Sequence, residues 1–576
     1  MSKLETNRSQ RWLGRDDFRT HNHRSRLMQM GYAPEDWEGK PIVAIVNNWS
    51  DFNPCHMHFK QRVEEVKRGV FQSGGFPLEL PTISLGENLI KPSALLYRNL
   101  LAMEVEEMVR ALPIDGIVLL GGCDKTTPAM LMGATSVDLP TIFLPAGPML
   151  RGNHAGKSLG SGSDAFKYWD EKRAGLLSDE NWDGIISGIA RTPGTCMTMG
   201  TASTMTAIAE AIGMTLPGAS SIPAVDAQHQ RMAAQCGRRI VELIQQNIRP
   251  SDIFTRLSFL NGITVAMAMG CSTNAIIHLI AQSKRAGHPV TLDDFDRISR
   301  VVPVVANVRP NGESHYLMED FYYAGGLCAL MKQVSHLLNL DEKTVNGQSL
   351  GANIESAKVF NNDVIRPINN PIYSEGSLAV LKGNIAPDGC VIKPSAMSQK
   401  FLTHEGTVLV FDSYPEMKTA LESDALNITP DHVIILRNAG PQGGPGMPEW
   451  GMIPIPNKLV KQGVRDMLRI SDARMSGTSY GACVLHVSPE SYIGGPLALV
   501  RNGDIIRLDV VNRRLDILVS DTELAHRKTQ WVKRKPPYQR GYGWMYSQHI
   551  QQANEGCDFD YLESTFGETQ GEPDIF

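Results

Sequence analysis

The sequence predicts an α/β protein in two parts: an N-terminal α/β domain (residues 1–370) built on a mainly parallel sheet, and a C-terminal β-barrel-like domain (residues 371–576). Two observations carry this reading. Before residue 370, short aliphatic runs alternate with helix-patterned stretches, which is the order of repeated βα units. From about Pro371 onward helices become sparse and short strands follow one another. A chain of 576 residues also exceeds what one hydrophobic core organises, so more than one domain is expected.

In chain order, the segment from Arg11 to Lys40 is mixed and charged and reads as an arm. Pro41 to Val46 is a strand, and the loop after it brings Cys55 just past a strand end. Met57 to Ser73 places Phe59, Val63, Val66, Val70 and Phe71 at helical spacing. Leu78 to Leu85 reads as extended and ends at Gly86-Glu87-Asn88. Pro92 to Leu112 reads as a helix with Leu96, Leu100, Met103 and Met108 on its inner side and Glu104, Glu106 and Glu107 in solvent. Ile117 to Leu120 is a buried strand, followed by Gly121-Gly122-Cys123-Asp124-Lys125 and a helix opening at Pro128. Thr141 to Leu144 is a further strand, and Arg191 to Gly200 forms a third cysteine loop around Cys196, ahead of another helix. In an open parallel sheet, ligands are held at the carboxyl ends of the strands, where these cysteines fall.

In the second part the strands are Leu378–Leu381, Val391-Ile392, Thr407–Phe411 and His432–Leu436, with Ile505–Val519 folding as two more about Asn512-Arg513. Two loops stand out. Gly440 to Glu449 is rich in glycine and delivers a carboxylate, and Asp472 to Gly481 contains Ser476-Gly477-Thr478. The aromatic tail beyond Lys533 is expected to wrap a neighbour or another domain.

Composition excludes several classes. Hydrophobic content of 42% and charged content of 20% describe a globular protein. With Lys+Arg 56 against Asp+Glu 61 there is no basic footprint for nucleic acid, so the expected partner is a small molecule. No apolar run is long enough to cross a bilayer and the first residues lack a secretory core, so no membrane association and a cytoplasmic location are expected. Nine cysteines without a CxxC pair argue for reduced thiols, a few of which bind metal; Cys236, Cys328 and Cys483 read as core. Gly156-Lys157-Ser158 ends like a phosphate-binding loop, but the required glycine is replaced by Arg151. The adjacent thiol, carboxylate and amine of Cys123-Asp124-Lys125 suit a soft metal centre beside a hard one. They equally fit an ordinary βα corner with a capping Asp and a solvated Lys.

Taken together, NPCHMHF (53–59), SLGEN (84–88), GGCDKTTPAM (121–130), TCMTMGTASTM (195–205), NAGPQGGPGMPE (438–449), DARMSGTSYG (472–481) and HVSPE (486–490) resemble the dihydroxyacid and sugar acid dehydratases along essentially the whole chain. The resemblance implies an active site between the two domains, holding an iron-sulfur cluster and Mg. Cys55, Cys123 and Cys196 would be the cluster ligands, with 2Fe-2S favoured over 4Fe-4S. Glu87, Asp124, Lys125 and Glu449 would surround Mg, with Lys125 open to carbamylation that would make it an oxygen ligand. Ser476 would be the base, and Thr478 would help to hold the substrate. Family members form dimers or tetramers, so a homo-dimer or homo-tetramer is expected.

His56 after the first cysteine and Met197-Thr198 after the third depart from the branched-chain biosynthetic members and look like the aldonate branch. There His56, with His58, would hydrogen-bond a polyol substrate. The expected reaction converts an aldonate, L-arabinonate first, to a 2-keto-3-deoxy acid plus water. Three rivals stand beside it: the dihydroxyacid dehydratase of branched-chain amino acid biosynthesis, a non-catalytic iron-sulfur sensor, and an esterase using Ser479 in Gly477-Thr478-Ser479-Tyr480-Gly481 with Asp509 and His526.

Overall fold

The computed structural model describes residues 7–311, 315–563 and 572–575. Strands β1 (Ile42–Asn47), β2 (Phe76–Pro81), β3 (Gly116–Gly121) and β4 (Thr141–Pro145) form a four-stranded, wholly parallel sheet in the order β2-β1-β3-β4. β1, β3 and β4 are buried at every position, which is why they read as unbroken aliphatic runs. β2 lies at the edge, and its second half reaches solvent. A hairpin of β5 (Gly152–His154) and β6 (Lys157–Leu159) follows; Gly156-Lys157-Ser158 sits on its turn and strand, not at a helix start where phosphate would be cradled.

Two local expectations change. The second strand starts and ends earlier than Leu78–Leu85, so Glu87 lies six positions beyond it, in a turn. The stretch Pro92–Leu112 is a short 3-10 turn (Ala94–Tyr97) followed by an α-helix (Arg98–Ala111). Changing helix type shifts the side-chain phase, so the buried face carries Leu101, Ala102, Val105 and Val109 while Met108 is exposed. Of the three glutamates only Glu107 is exposed, 3.5 Å from Arg110; Glu104 accepts the Ile83 N–H at 3.0 Å and Glu106 pairs with Arg110.

The second part is a closed eight-stranded barrel in the order β10-β11-β12-β8-β7-β14-β13-β9. Its strands are β7 (Ala379–Gly383), β8 (Ala386–Ile392), β9 (Thr403–Phe411), β10 (Val433–Leu436), β11 (Arg469–Ser471), β12 (Cys483–Ser488), β13 (Ile505–Asp509) and β14 (Arg514–Ile517). β9 to β12 run parallel to one another, and the ring is completed mainly by antiparallel pairs. Leu381, Ile392, Val408, Ile435, Ile470 and Val484 share its core.

The tail returns to the N-terminal part. Tyr546 and Phe559 bury with Leu95, Leu96, Ile277 and Met447. The Arg285–Asp558 pair, with N–O distances of 2.7 and 2.8 Å, is buried, and Arg98 donates to the carbonyls of Gly556 and Cys557. Asp115 ties the arm to the sheet by accepting from the amides of Ser9 (2.8 Å) and Ile42 (2.7 Å). Among the described residues no helix is long and apolar enough to cross a membrane.

The helices Phe59–Gln72 and Ala227–Gln246 cross through two glycines: a Cβ on Gly69 would overlap the carbonyl of Ala234, and one on Gly237 would overlap that of Val66. Gly69→Ala or Gly237→Ala should therefore destabilise the fold by about 1–3 kcal/mol through overpacking. That is opposite in sign to the gain of roughly 1 kcal/mol expected from alanine in an open helix. Thermal unfolding followed by circular dichroism distinguishes the two signs.

Candidate active site

Each cysteine loop is placed by a strand end. β1 leaves through Asn48 to Asn53 into the 3-10 turn Pro54–His56, which carries Cys55. β3 runs out into Gly122-Cys123-Asp124-Lys125, and the helix Thr126–Val137 starts at once. A Cβ on Gly122 would overlap that of Ala146, so glycine keeps the ends of β3 and β4 together. The Cys196 loop extends β4: Thr195 N donates to Gly147 O and Met149 N to Thr195 O, both at 2.9 Å.

His56 joins two of these loops. Its Nδ1–H donates to Asn48 O at 3.0 Å, which leaves Nε2 to accept the Cys123 N–H at 3.1 Å. The ring is fully buried, and burial lowers its pKa to about 4, so it stays neutral. The residue expected to bind substrate is thus a fully buried ring whose two nitrogens both meet backbone groups. His58 is also buried, with Nε2 on Ala146 O at 2.8 Å.

The thiols share one environment. Hydrogen bonding with Cys123, then burial, then negative charge at Cys123, Cys196 and Asp124 push the Cys55 thiol well up. Burial, followed by Asp124, pushes Cys196 to about 12, opposed by the Ser161 hydroxyl. Without added positive charge Cys55 and Cys196 remain thiols; a bound metal would make them thiolates. Three thiols from three loops are a fitting donor set for an iron-sulfur cluster.

Beside them, Glu87, Asp124 and Glu449 bring carboxylate oxygens within 4.8 Å of one another. The fully buried Arg474 donates to Glu87 Oε1 and Glu449 Oε1, both at 2.6 Å, and to Ser93 Oγ at 2.9 Å. Lys125, also fully buried, lies 3.1 Å from Glu87 Oε2 and 3.5 Å from Asp124 Oδ2. Neither Lys125 Nζ nor Glu87 Oε2 has a hydrogen bond of good geometry. Three carboxylates against two cations leave negative charge in excess. Burial and the charge of Glu87 push Glu449 up, whereas Arg474 and Lys125 outweigh burial at Glu87 and hold it low. An oxygen-lined, electron-rich site of this kind suits Mg.

The barrel supplies the remaining wall. Glu490 accepts the amides of Gln442 and Gly443, each at 2.9 Å, and Asp472 accepts those of Ala439 and Ser491, also at 2.9 Å. The glycine-rich loop so held meets the N-terminal part at Gly446, whose φ of +79° suits glycine and whose carbonyl accepts from Ser93 Oγ at 2.6 Å. Glu449 follows three residues later. Ser476 is half-buried, with its Oγ 3.0 Å from Thr478 Oγ1. Asn274 holds the preceding Met475 carbonyl at 3.0 Å, and a Cβ on Gly477 would overlap Thr201 N. The serine loop therefore presses on the helix that begins just after Cys196.

The structure thus brings together Cys55, Cys123, Cys196, Glu87, Asp124, Lys125 and Glu449, with Ser476 and Thr478 on the loop packed against the helix that follows Cys196. It also removes the esterase alternative: Ser479 is fully buried and precedes β12 instead of a helix, while Asp509 pairs with Asn512 and His526 is exposed. Arg474 is the central residue that the sequence reading did not single out. Its signal was available, since it is the one cation in the DARMSGTSYG motif and clustered buried carboxylates require one. Ser161 carried no such signal.

Comparison with known proteins agrees with this geometry. The dihydroxy-acid/6-phosphogluconate dehydratase N-terminal family matches residues 40–353, and its C-terminal counterpart matches residues 363–557. The chain is 52% identical over 576 residues to a 6-deoxy-6-sulfo-D-gluconate dehydratase of Pseudomonas putida, covering 100% of this chain and 99% of the relative. It is 45% identical over 566 residues to an L-arabinonate dehydratase of Rhizobium leguminosarum bv. trifolii (98% and 97% covered). It is 41% identical over 545 residues to a dihydroxy-acid dehydratase of Carboxydothermus hydrogenoformans (93% and 97% covered). With both parts matched and sugar acid dehydratases similar along its full length, the chain belongs to the dihydroxy-acid/6-phosphogluconate dehydratase family and is a hydro-lyase of its sugar acid dehydratase group.

Proposed function

We propose that this enzyme dehydrates a five- or six-carbon sugar acid to the 2-keto-3-deoxy acid, using an iron-sulfur cluster of the 2Fe-2S type and Mg. The observation that carries the proposal is the meeting of three thiols with three carboxylates drawn from both parts of the chain, beside a serine loop packed on the helix that follows Cys196. Dehydratases of this family use iron-sulfur clusters and Mg. Cys55, Cys123 and Cys196 would hold the cluster; Glu87, Asp124 and Glu449 would hold Mg, with Lys125 joining them as a carbamate. When bound, the two centres supply Lewis acidity for the departing C3 hydroxyl and for the carboxylate end of the substrate.

The remaining work falls to the chain. Ser476 Oγ takes the C2 proton, the C3–O bond breaks as the C2 electron pair forms the double bond, and the same proton passed on to the departing hydroxyl releases water and restores the base. A neutral hydroxyl is too weak a base for that proton, so Ser476 acts as an alkoxide. Thr478, 3.0 Å away, orients its oxygen. Arg474 helps to hold Glu87 ionised and aligns Glu87 with Glu449. The enol product tautomerises to the keto acid. We further propose a cytoplasmic homo-oligomer; Phe52, Met57 and Leu89 stay exposed on the loops that carry Cys55 and Glu87, where a second copy would cover them.

The substrate reading is tested with anaerobically prepared protein and Mg, assaying 2-keto acid formation from L-arabinonate, 6-deoxy-6-sulfo-D-gluconate, D-gluconate and dihydroxyisovalerate. Turnover of a sugar acid is expected. Dihydroxyisovalerate as the best substrate, or no keto acid from any, would overturn the proposal. Ser476→Ala should lower kcat by about 10²- to 10⁴-fold while leaving the visible absorption of the protein unchanged. Arg474→Lys retains charge but loses the two-armed grip on Glu87 and Glu449, so the Mg concentration for half-maximal activity should rise by about 10- to 100-fold.

A further inference from the structure

Thr478 belongs to the barrel part, yet the groups that hold it come from the N-terminal part. The side chain is buried, with 4% of its surface exposed. The start of the helix Ser161–Arg173 closes over it: a Cβ on Gly162 would overlap Thr478 Oγ1, and Ser163 Oγ donates to Thr478 O at 2.8 Å. On the other side a Cβ on Gly200, just before the helix that follows Cys196, would lie 2.8 Å from Thr478 Cγ2. Both branches of the threonine are therefore pressed against glycine backbone.

Glycine is among the poorest helix formers, so its presence inside the first turn of a helix calls for a reason. The φ of Gly162 lies outside the left-handed region, so backbone conformation does not supply one. Close approach does. Threonine is stiff about χ1 because it carries two heavy atoms on Cβ. Exchanging its two branches would set the larger methyl against Gly162, where a single added carbon already has no room. The rotamer that remains puts Oγ1 3.0 Å from Ser476 Oγ. An alkoxide at Ser476 has no proton to give, so Thr478 Oγ1–H donates and Ser476 Oγ accepts. The Thr478 N–H approaches the same oxygen at 3.5 Å. Donors aimed at an oxyanion are most effective when fixed in advance of the reaction.

We infer that Gly162 and Ser163 are positioning residues for the proposed base: from across the joint between the two parts they lock the Thr478 hydroxyl onto Ser476 Oγ, so the base is complete only while this helix start is seated. The inference rests on the dehydratase reading, in which Ser476 is the base. Neither Gly162 nor Ser163 takes part in proton transfer.

The test uses the full-length, metal-loaded protein and combines crystal structures with kinetics on the sugar acid that the native protein turns over. Gly162→Ala should move Thr478 Oγ1 out of hydrogen-bond range of Ser476 Oγ. It should lower kcat at least about tenfold with KM little changed, since the lost bond acts in the transition state. Thr478→Val should lower kcat by about 10²- to 10³-fold. An unrelated packing defect would multiply with that loss, whereas adding Gly162→Ala to Thr478→Val should slow the enzyme by less than about twofold more. Ser163→Ala adds no bulk and should lower kcat by about two- to tenfold. An unmoved Thr478 hydroxyl in Gly162→Ala, or losses that multiply in the double variant, would overturn the inference; if Gly162→Ala does not fold, native kcat in Ser163→Ala overturns it. Should the native protein form keto acid from no sugar acid, the dehydratase reading falls, and the Ser476–Thr478 separation in the Gly162→Ala crystal still decides the positioning.

Discussion

The guanidinium of Arg474 has no access to solvent, and a buried cation without partners would cost several kcal/mol. Its partners come from both parts of the chain: Glu87 from the loop after β2, Ser93 just before the 3-10 turn, and Glu449 from the glycine-rich loop of the barrel. Burial alone would weaken the hold of Arg474 on its proton, but the charges of Glu87 and Glu449 more than offset this. The two parts therefore cannot separate without exposing or stranding this charge. The same contact sets the distance between two carboxylates, so the joint between domains is also the frame of the candidate metal site.

Around that frame, every functional side chain is fixed by backbone that has somewhere else to be. The cysteines ride on loops tied to strand ends, and His56 links two of those loops by using both faces of a neutral imidazole. Asp472 and Glu490 spend their oxygens on backbone amides of the glycine-rich loop and its neighbour, not on chemistry. Burial, with the charge of Asp472, pushes Glu490 up to about 7, and the amides of Gly443 and Gln442 oppose that rise. The tail closes the arrangement from behind through the Arg285–Asp558 pair. Rigid supports of this kind let soft and hard donors sit side by side without collapsing onto each other.

Much of this was legible in the sequence, and the exceptions have physical reasons. Ile117 to Leu120 announced itself because a parallel strand buried on both faces must be continuously apolar. β11 did not, because it is only three residues long and includes Arg469 and Ser471. The inner face of the Arg98–Ala111 helix was misassigned because the 3-10 turn before it breaks the phase that Leu96 had suggested. The cysteine and carboxylate motifs could be read as strings, since each is local. The role of His56 could not: whether its ring faces a ligand or a backbone amide depends on Cys123, 67 positions away. The pairing of Arg474 with Glu87 spans 387 positions. What a motif contains is local information, whereas what its residues face is set by the fold.

The central claim is that Cys55, Cys123 and Cys196 act as one ligand set beside the carboxylates. The most direct measurement is the iron and acid-labile sulfide content of anaerobically purified protein, with its visible and electron paramagnetic resonance spectra, compared between the native chain and Cys123→Ser. The account predicts a coloured protein with iron and sulfide in equal amounts, and loss of both on substituting Cys123 while the protein remains folded. An iron-free, colourless native protein, or full iron and sulfide retained in Cys123→Ser, would contradict it.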